Sequence, residues 1–156
     1  MMKLVRLGPD QSAVLAQLHA QSFPSEEAWD IAAFDGLLAQ SSTQGFGLHS
    51  ETQLAAFLLV QFIRPEAEIL TLATAPDFRR RGLAQKLVRD TESELRMDGL
   101  EKWLLDVAED NPQAIAFYHK IGFREDGRRA RYYKRLEGMR VGAILMSKLV
   151  SRQETR

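Results

Sequence analysis

The chain contains no cysteine among its 156 residues. Disulfide bonds, thiolate metal ligands and a cysteine nucleophile are therefore excluded. Only three histidines are present, His19, His49 and His119, and they lie far apart, without the close spacing typical of zinc ligands. We therefore predict no metal site.

Long apolar segments are also missing. The longest uninterrupted apolar run is the seven residues from Leu54 to Val60, whereas a membrane-spanning helix needs about 20. The first residues, Met1 to Arg6, lack the apolar core of a signal peptide. Together with the absence of cysteine, these features predict a cytoplasmic protein with no membrane partner.

The chain has no net charge, because 21 basic residues balance 21 acidic ones. The balance is uneven along the sequence: residues 1–78 hold 3 basic and 9 acidic residues, and residues 79–156 hold 18 basic and 12 acidic. A neutral total argues against direct nucleic-acid binding. Halves of opposite sign predict one anionic and one cationic ligand.

What is present is typical of one globular domain. Hydrophobic residues make up 45% of the chain and charged residues 27%, a composition that supports a packed core and excludes disorder. We find no repeat, low-complexity tract or linker. The length and composition therefore predict a single domain over residues 1–156.

Apolar periodicity and chain breakers predict seven strands and four helices in the order βααβββαβαββ. The strands are expected at residues 2–7, 46–49, 53–63, 67–75, 102–108, 123–135 and 140–150. The helices are expected after Asp10 as cap, within a segment opened by Pro24 with Ser25 as cap, from about Gly82 to about Asp98, and from the cap Asn111 to Gly122. The strand-helix-strand unit over residues 67–108 predicts one parallel crossover in an otherwise antiparallel sheet, an α/β fold with helices on both faces.

The segment Arg79–Ala84 joins a predicted strand to a predicted helix. Gly82 and Ala84 leave the backbone uncovered there, and free N–H groups at a helix start attract anions. With three adjacent arginines, this turn is a candidate cradle for a pyrophosphate. It lacks the Gly-Lys-Ser/Thr ending of a Walker A motif and two glycines of the Rossmann fingerprint. The alternative is a capped helix start with solvated arginines.

Two motifs resemble the GCN5-related N-acetyltransferases. Arg79-x-x-Gly82-x-Ala84 is similar to that family's Gln/Arg-x-x-Gly-x-Gly/Ala, which binds the pyrophosphate of acetyl-CoA. About 30 residues later, the segment 111–123 is similar to the family's Asn-x-x-Ala-x-x-Phe/Leu-Tyr-x-x-x-Gly-Phe. The resemblance extends over about 80 residues, from Ile69 to Leu149, and implies the family's mixed sheet of about seven strands.

Shorter segments resemble the RimI branch of that family, which acetylates the N-terminal amine of a ribosomal protein. Residues 22–26 look like this branch's Ala-Phe-Pro-Trp-Ser-Glu, and residues 128–133 look like its Arg-Arg-Asn-Tyr-Tyr with one residue inserted. The resemblance implies that the residues from Phe23 to Trp29 and the last two strands select the acceptor.

The resemblance also implies which residues bind acetyl-CoA. The backbone of Leu72, Ala73 and Thr74 would pair with the pantetheine arm as if it were an added strand. Tyr118 would contact the cofactor, as would Asn111, for which the alternative is a helix cap alone. The pyrophosphate site implied by the first motif comprises Arg79 and the backbone amides of Arg80, Arg81, Gly82, Leu83, Ala84 and Gln85.

The catalytic roles come from the same resemblance. Tyr118 matches the family's general acid, which protonates the departing CoA thiolate; the alternative is an aromatic side chain that only packs. Asp106 stands where RimI-type enzymes have a glutamate base, so a shorter carboxylate would act through a water molecule. Glu109, three residues further on, is the second candidate base, and the third possibility is neither. The backbone N–H near Ala73 would donate to the thioester oxygen.

The sequence therefore predicts an acetyl-CoA-dependent N-acetyltransferase. Without a cysteine, transfer to a primary amine would be direct, and the resemblance implies a protein N-terminal α-amine, for instance that of a ribosomal protein. The alternatives are a small-amine acetyltransferase, a non-catalytic acyl-CoA-sensing module and an RNA-contacting protein that has kept the fold. Monomer and homodimer both remain open. We expect Arg79–Arg81 to attract phosphates, and Glu26, Glu27 and Asp30 to attract the cationic acceptor.

Overall fold

The computed structural model describes residues 1–24 and 27–150, within which seven strands and four helices follow the predicted order. The strands are β1 (Lys3–Leu7), β2 (Thr43–His49), β3 (Leu54–Ile63), β4 (Glu66–Thr74), β5 (Lys102–Ala108), β6 (Arg124–Lys134) and β7 (Arg140–Leu149). The helices are α1 (Ser12–Ser22), α2 (Ile31–Leu38), α3 (Leu83–Met97) and α4 (Pro112–Lys120). Among the helices of this described part, none is long and apolar enough to cross a bilayer.

The strands form one sheet in the order β1-β2-β3-β4-β5-β7-β6. Every neighbouring pair is antiparallel except β4 and β5, which are joined by α3 and run parallel. The predicted α/β fold, with a mostly antiparallel sheet and one parallel crossover, is confirmed.

Helices cover both faces of this sheet. Side chains along a strand alternate between faces, and β3 shows the result because Phe57 and its neighbour Leu58 belong to different apolar clusters. Leu58 packs in a cluster with Leu87 of α3. Phe57 packs in the other cluster, where its ring meets that of Phe34 from α2 at 5.8 Å.

The second helix begins later than the sequence predicted. Pro24 does not open it; α2 starts at Ile31, and Asp30 is its cap, accepting a hydrogen bond from the Ala33 N–H at 2.8 Å. After Pro24 there is a single turn, closed by the Ala28 N–H donating to the Pro24 carbonyl at 2.9 Å. The next N–H, that of Trp29, donates to Nδ1 of His19 at 3.1 Å, so the turn does not continue as a helix. Ser25, the predicted cap, lies outside the described residues.

Two smaller predictions also differ. Asp10 does not cap the first helix, because it lies inside a 3-10 turn at Pro9–Gln11, and α1 follows at Ser12. The segment before residue 46, expected to be a loop, is already part of β2, because Thr43 pairs with Gln61 of β3.

His19 is a buried histidine that connects α1 to β4. Its ring is 2% exposed and stacks between Phe23 and Trp29, with centroids at 4.1 and 4.9 Å. Since Nδ1 accepts from the Trp29 N–H, the proton of the neutral ring is on Nε2, which donates to the Thr71 hydroxyl at 3.1 Å. Burial lowers the pKa of His19 to about 4.

We expect this histidine to make the fold acid-sensitive. The unfolded chain protonates His19 near pH 6.5 and the folded chain only near pH 4, so stability is complete above the higher value and falls as pH decreases between the two. The loss amounts to about 3 kcal/mol of unfolding free energy below pH 4, of which about 2 kcal/mol falls between pH 7 and pH 4.5. Urea unfolding at pH 7 and pH 4.5 measures it, and a His19→Gln variant should lose less stability over this interval. A His49→Gln control should keep the wild-type slope; a wild-type slope in His19→Gln as well would contradict the assignment.

Candidate active site

β4 and β5 separate partway along their length. Their parallel pairing joins Glu66–Glu68 to Lys102–Leu104 and ends there. Beyond this point β4 continues to pair with β3, and β5 continues to pair with β7. The inner edge of β4 from Ile69 to Thr74, which includes Leu72 and Ala73, therefore faces a cleft in the sheet. An unpaired strand edge of this kind can pair with an extended ligand.

A β-bulge accompanies this separation. Leu59 of β3 pairs with Thr71, whereas the next residue, Val60, pairs with Ile69, so Leu70 is the extra residue of β4. A bulge bends its strand and increases the local twist. The bend lies two residues past Glu68, the last residue of β4 that pairs with β5. It helps to direct the rest of β4 away from β5.

The N-terminus of α3 presents free backbone N–H groups. Gly82 caps the helix in the left-handed conformation (φ 72°) without a side-chain hydrogen bond. Among the described residues, no partner accepts from the N–H groups of residues 80–85, and the first bond of the helix runs from the Lys86 N–H to the Gly82 carbonyl. A Cβ at Gly82 would meet no atom within 4 Å. Free N–H groups facing open space at a helix start fit a pyrophosphate.

The side chains of this turn have different positions. Leu83 is buried and anchors the helix, and Ala84 is half-buried, while Gln85 is exposed. Arg80 and Arg81 are exposed, and the Arg81 guanidinium lies 5.1 Å from the centroid of the Phe78 ring. These two arginines are available to an anion beside the free N–H groups.

Arg79 is used differently. Its Nη2 donates to the Gln21 carbonyl at 3.0 Å and to the Ser22 hydroxyl at 3.3 Å, and its Nε donates to the Thr74 carbonyl at 3.3 Å. The guanidinium thus connects the end of β4 to the end of α1. Arg79 therefore fixes the start of the turn relative to these two elements, and its guanidinium is already hydrogen-bonded within the protein.

Asn111 caps α4, as the sequence predicted. Its Oδ1 accepts from the Ala114 N–H at 3.2 Å, and Pro112 occupies the first helical position. Asn111 follows β5 closely, so the polar cap lies at the carboxyl end of the strand that borders the cleft. The side-chain NH₂ group has no partner among the described residues and can donate to a ligand.

Tyr118 lies on the buried side of α4. The residue is 8% exposed, and its ring meets those of Phe117 and Phe123 at 5.2 and 5.3 Å. Within the described part of the chain its hydroxyl has no hydrogen-bond partner, yet the oxygen is not sealed from solvent. Burial, and secondarily the nearby Tyr133, raise the pKa of Tyr118. The ring therefore packs in the core while the hydroxyl stays protonated and available.

Asp106 belongs to a group of acidic and phenolic side chains at the cleft. In the parallel register Glu68 lies opposite Leu104, two residues before Asp106, which puts both carboxylates on one face of the sheet. Burial and then the Asp106 charge raise the pKa of Glu68, which Arg129 opposes. Burial, followed by the Asp106 charge, raises the pKa of Tyr133 to about 12. Asp106 is half-buried and makes no hydrogen bond to a described side chain or backbone group.

Glu109, the second candidate base, is engaged elsewhere. Its Oε1 accepts from the Gly142 N–H at 2.9 Å, and its Oε2 lies 3.7 Å from Nη1 of Arg128. Its own N–H donates to the Gly142 carbonyl at 2.9 Å. These contacts hold Glu109 against β6 and β7, whereas Asp106 makes no hydrogen bond to a described residue.

Sequence reasoning missed two members of this site. The apolar pattern places Glu68 within a strand and gives it no role, although the predicted parallel pairing of β4 with β5 is enough to bring it near Asp106. Tyr133 stands out in the sequence only as part of the segment 128–133. The signal was present in the strand order, but the register that sets which residues are neighbours depends on the three-dimensional sheet.

Residues 13–123 of the chain match the acetyltransferase (GNAT) family. The chain belongs to this family. This GNAT chain is 36% identical over 104 residues to the [ribosomal protein bS18]-alanine N-acetyltransferase of Salmonella typhimurium, covering 67% of this chain and 70% of the relative. It is 30% identical over 123 residues to the N-alpha-acetyltransferase RimI of Mycobacterium tuberculosis, covering 76% of each.

A solved structure agrees over nearly the whole length. The GNAT chain superposes on the crystal structure of the ribosomal-protein-S18-alanine N-acetyltransferase from Escherichia coli with a TM-score of 0.87 and 27% identity, covering 99% of this chain and 97% of that one. The chain is an acetyl-CoA-dependent N-acetyltransferase, and the predicted family, enzyme class and acetyl donor are confirmed. The roles of individual residues remain predictions.

Proposed function

We propose that this acetyltransferase acetylates the N-terminal α-amine of a protein, with a ribosomal protein as the acceptor class. The relatives that carry this activity in their names align with two thirds or more of the chain. The observation that supports it in the structure is the pair of carboxylates, Glu68 and Asp106, on one face of the sheet at the cleft. An α-amine is protonated at neutral pH, so it needs carboxylates that attract it and one that takes its proton.

The donor side of the cleft fits acetyl-CoA. The free N–H groups of residues 80–85 would bind its pyrophosphate, with Arg80 and Arg81 beside them. The exposed edge of β4 at Leu72, Ala73 and Thr74 would bind the pantetheine arm as an added strand. Bound acetyl-CoA supplies an activated acetyl thioester. Ala73 pairs with Phe57 of β3, so the N–H groups that face the cleft on either side of it are those of Leu72 and Thr74. One of these two would donate to the thioester oxygen.

Asp106 is the proposed base. It has no competing hydrogen bond among the described residues, so its carboxylate can accept the ammonium proton, directly or through one water molecule. Glu68 adds a second negative group on the same face, which strengthens the attraction for the incoming cation. Once the amine is neutral, its lone pair can attack the acetyl group that the β4 edge holds in place.

Tyr118 is the proposed partner of the leaving sulfur. Its hydroxyl stays protonated because burial raises its pKa, so it can always donate a hydrogen bond. A thiol has an ordinary pKa near 8.5, below that of this phenol, so full proton transfer to the thiolate is uphill. The main contribution of Tyr118 is therefore to stabilise negative charge as it develops on sulfur.

The structure changes which acidic residues can attract the acceptor. Glu27 pairs with Arg135 at 2.6 Å, and Asp30 is used as the cap of α2, while Glu26 lies outside the described residues. Glu27 is therefore already paired with a cation, and Asp30 already accepts a backbone hydrogen bond. The attraction for a cationic amine comes from Glu68 and Asp106, which lie at the cleft.

Asp106→Asn and Glu109→Gln separate the two candidate bases, because each change removes a carboxylate's charge at constant shape. We expect Asp106→Asn to reduce kcat by about 10²- to 10⁴-fold at neutral pH, the usual contribution of a general base. Glu109→Gln keeps an oxygen for the Gly142 N–H and should stay within a few-fold of wild type. Turnover of both variants is measured from pH 6 to 9. If only Glu109→Gln abolishes turnover, the assignment of Asp106 is wrong.

The proposed acceptor is tested with a peptide that begins with alanine. The release of free thiol from acetyl-CoA measures turnover, and fragment masses locate the acetyl group on the α-amine. The same peptide with a blocked N-terminus should be inert, including at its lysine side chains. Turnover with polyamines or amino acids but with no peptide would overturn the proposed acceptor.

A further inference from the structure

Arg135, just after β6, makes an unusual set of ion pairs. Its Nε and Nη2 donate to both carboxylate oxygens of Asp110, at 2.9 and 2.7 Å, and its Nη1 lies 2.6 Å from Oε1 of Glu27. Its side chain is only 19% exposed. A guanidinium that binds one carboxylate with two bonds and a second carboxylate with its remaining arm is held in a fixed orientation.

These contacts join three segments that are distant in the sequence. Glu27 lies in the connection between α1 and α2, and Asp110 lies in the connection between β5 and α4, next to the cap Asn111. Arg135 begins the turn between β6 and β7. The α1–α2 connection and the last two strands are the segments assigned above to the acceptor. The side chain of Arg135 therefore holds the α1–α2 connection and the β6–β7 turn against the end of β5.

The same guanidinium is linked to the proposed base through Tyr133. It lies 5.7 Å from the centroid of the Tyr133 ring. Burial and then the Asp106 charge raise the pKa of the Tyr133 phenol, with a smaller contribution from Glu27, while Arg135 lowers it. One guanidinium therefore contacts both the Glu27 carboxylate and the ring of Tyr133.

Arg135 also removes negative charge from the surface around the cleft. Its hydrogen bond to Asp110 lowers the pKa of that carboxyl, which keeps it ionised and paired. One cation then offsets much of the charge of two carboxylates. A cationic amine would otherwise be attracted to Glu27 and Asp110, away from Asp106, so the pairing favours the productive position.

We propose that Arg135 is a positioning residue for the acceptor: it holds Glu27, Asp110 and Tyr133 together so that the amine is presented to Asp106. This inference rests on the proposed function, because it takes the acceptor to lie between the α1–α2 connection and the last two strands. The contacts of Arg135 with Asp110, Glu27 and Tyr133 involve no residue assigned to the donor site. The effect of Arg135 therefore appears in acceptor binding, and not in acetyl-CoA binding.

Steady-state kinetics of Arg135→Lys and Arg135→Ala test this role. We expect the KM for the acceptor to rise about 10-fold or more, with kcat within a few-fold of wild type and the Kd for acetyl-CoA unchanged. Lysine should rescue little, because a single ammonium cannot reproduce three directed bonds. Arg6→Lys and Arg6→Ala are matched controls, since Arg6 contacts Gln44 at 2.7 Å and Glu94 at 4.0 Å on β1, the edge strand opposite β6. An unchanged acceptor KM in both Arg135 variants would overturn the proposal.

Hydrogen exchange of the free enzyme gives a readout that does not depend on the acceptor. In Arg135→Lys the backbone amides of residues 27–30 should exchange faster than in wild type, and those of α3 should not change. Faster exchange with an unchanged KM would make Arg135 a structural brace only and would overturn the positioning role. The KM comparison uses whichever primary amine the wild-type enzyme acetylates, so a wrong acceptor and a wrong role for Arg135 give different results.

Discussion

A Gly82→Glu variant is expected to lose acetyl-CoA binding while keeping its fold. The new carboxylate would stand before the free N–H groups of residues 80–85, where the pyrophosphate is proposed to bind. At about 5 Å and an effective dielectric constant near 20, each pair of like charges costs about 3 kcal/mol, a loss of ~200-fold in affinity for a single charge. The pyrophosphate carries more than one charge, so binding should fall below detection in a direct titration with CoA.

The fold should tolerate this change. A Cβ at Gly82 meets no atom within 4 Å, so the main penalty is the left-handed backbone, about 1 kcal/mol. Gly138→Glu is the matched control, because Gly138 also has a left-handed conformation (φ 75°) and open space around its Cβ, but lies in the β6–β7 turn. This control should bind CoA like wild type. Wild-type affinity in Gly82→Glu would remove the α3 N-terminus from the donor site.

The donor side of the site could be predicted because its signals are local. A glycine in the left-handed conformation before α3 and the pair Asn111–Pro112 before α4 determine the helix starts within a few residues. The strand β5 was predicted with its observed bounds, since a short apolar run between breakers is also local. The two family motifs cover these same segments, which is why the resemblance and the physical reading agree there.

The acceptor side could not be predicted in the same way, because it is built from distant contacts. The start of α2 depends on a hydrogen bond from Trp29 to His19, ten residues earlier, and on the stacking of that ring between two aromatic side chains. The ion pair of Glu27 with Arg135 joins opposite ends of the chain. No local pattern distinguishes an acid that attracts a substrate from one that is already paired.

The choice between Asp106 and Glu109 shows the same limit. The sequence places both acids near the end of one strand, and only the resemblance favours Asp106. In the structure the two differ clearly, because Glu109 is bound to the backbone of Gly142, 33 residues further along the chain.

The net charge of zero also acquires a different meaning. Part of the balance is a direct pairing of Glu27 and Asp110 with Arg135, and not a separation of ligands by halves.

A Tyr118→Phe variant is expected to reduce kcat by about 10²- to 10³-fold, the usual cost of removing one hydrogen-bond donor to a charge that develops in the transition state. The ring remains, so the contacts with Phe117 and Phe123 are kept. The hydroxyl has no partner among the described residues, so its removal should leave the unfolding free energy and the affinity for CoA nearly unchanged. Stopped-time assays of thiol release, CoA titration and urea unfolding measure the three quantities separately.

The pH dependence of this loss distinguishes a hydrogen-bond donor from a titrating acid. Because burial raises the pKa of Tyr118, the phenol stays protonated from pH 6.5 to 9.5, and the ratio of wild-type to variant kcat should be constant over that range. Tyr132→Phe is the control for the loss of a hydroxyl, since Tyr132 is 46% exposed on β6 and should keep the wild-type kcat at saturating acceptor. Wild-type turnover in Tyr118→Phe would leave only the packing role. A large fall in CoA affinity or stability would show that the hydroxyl holds the structure together, so the loss of kcat could not be assigned to the leaving sulfur.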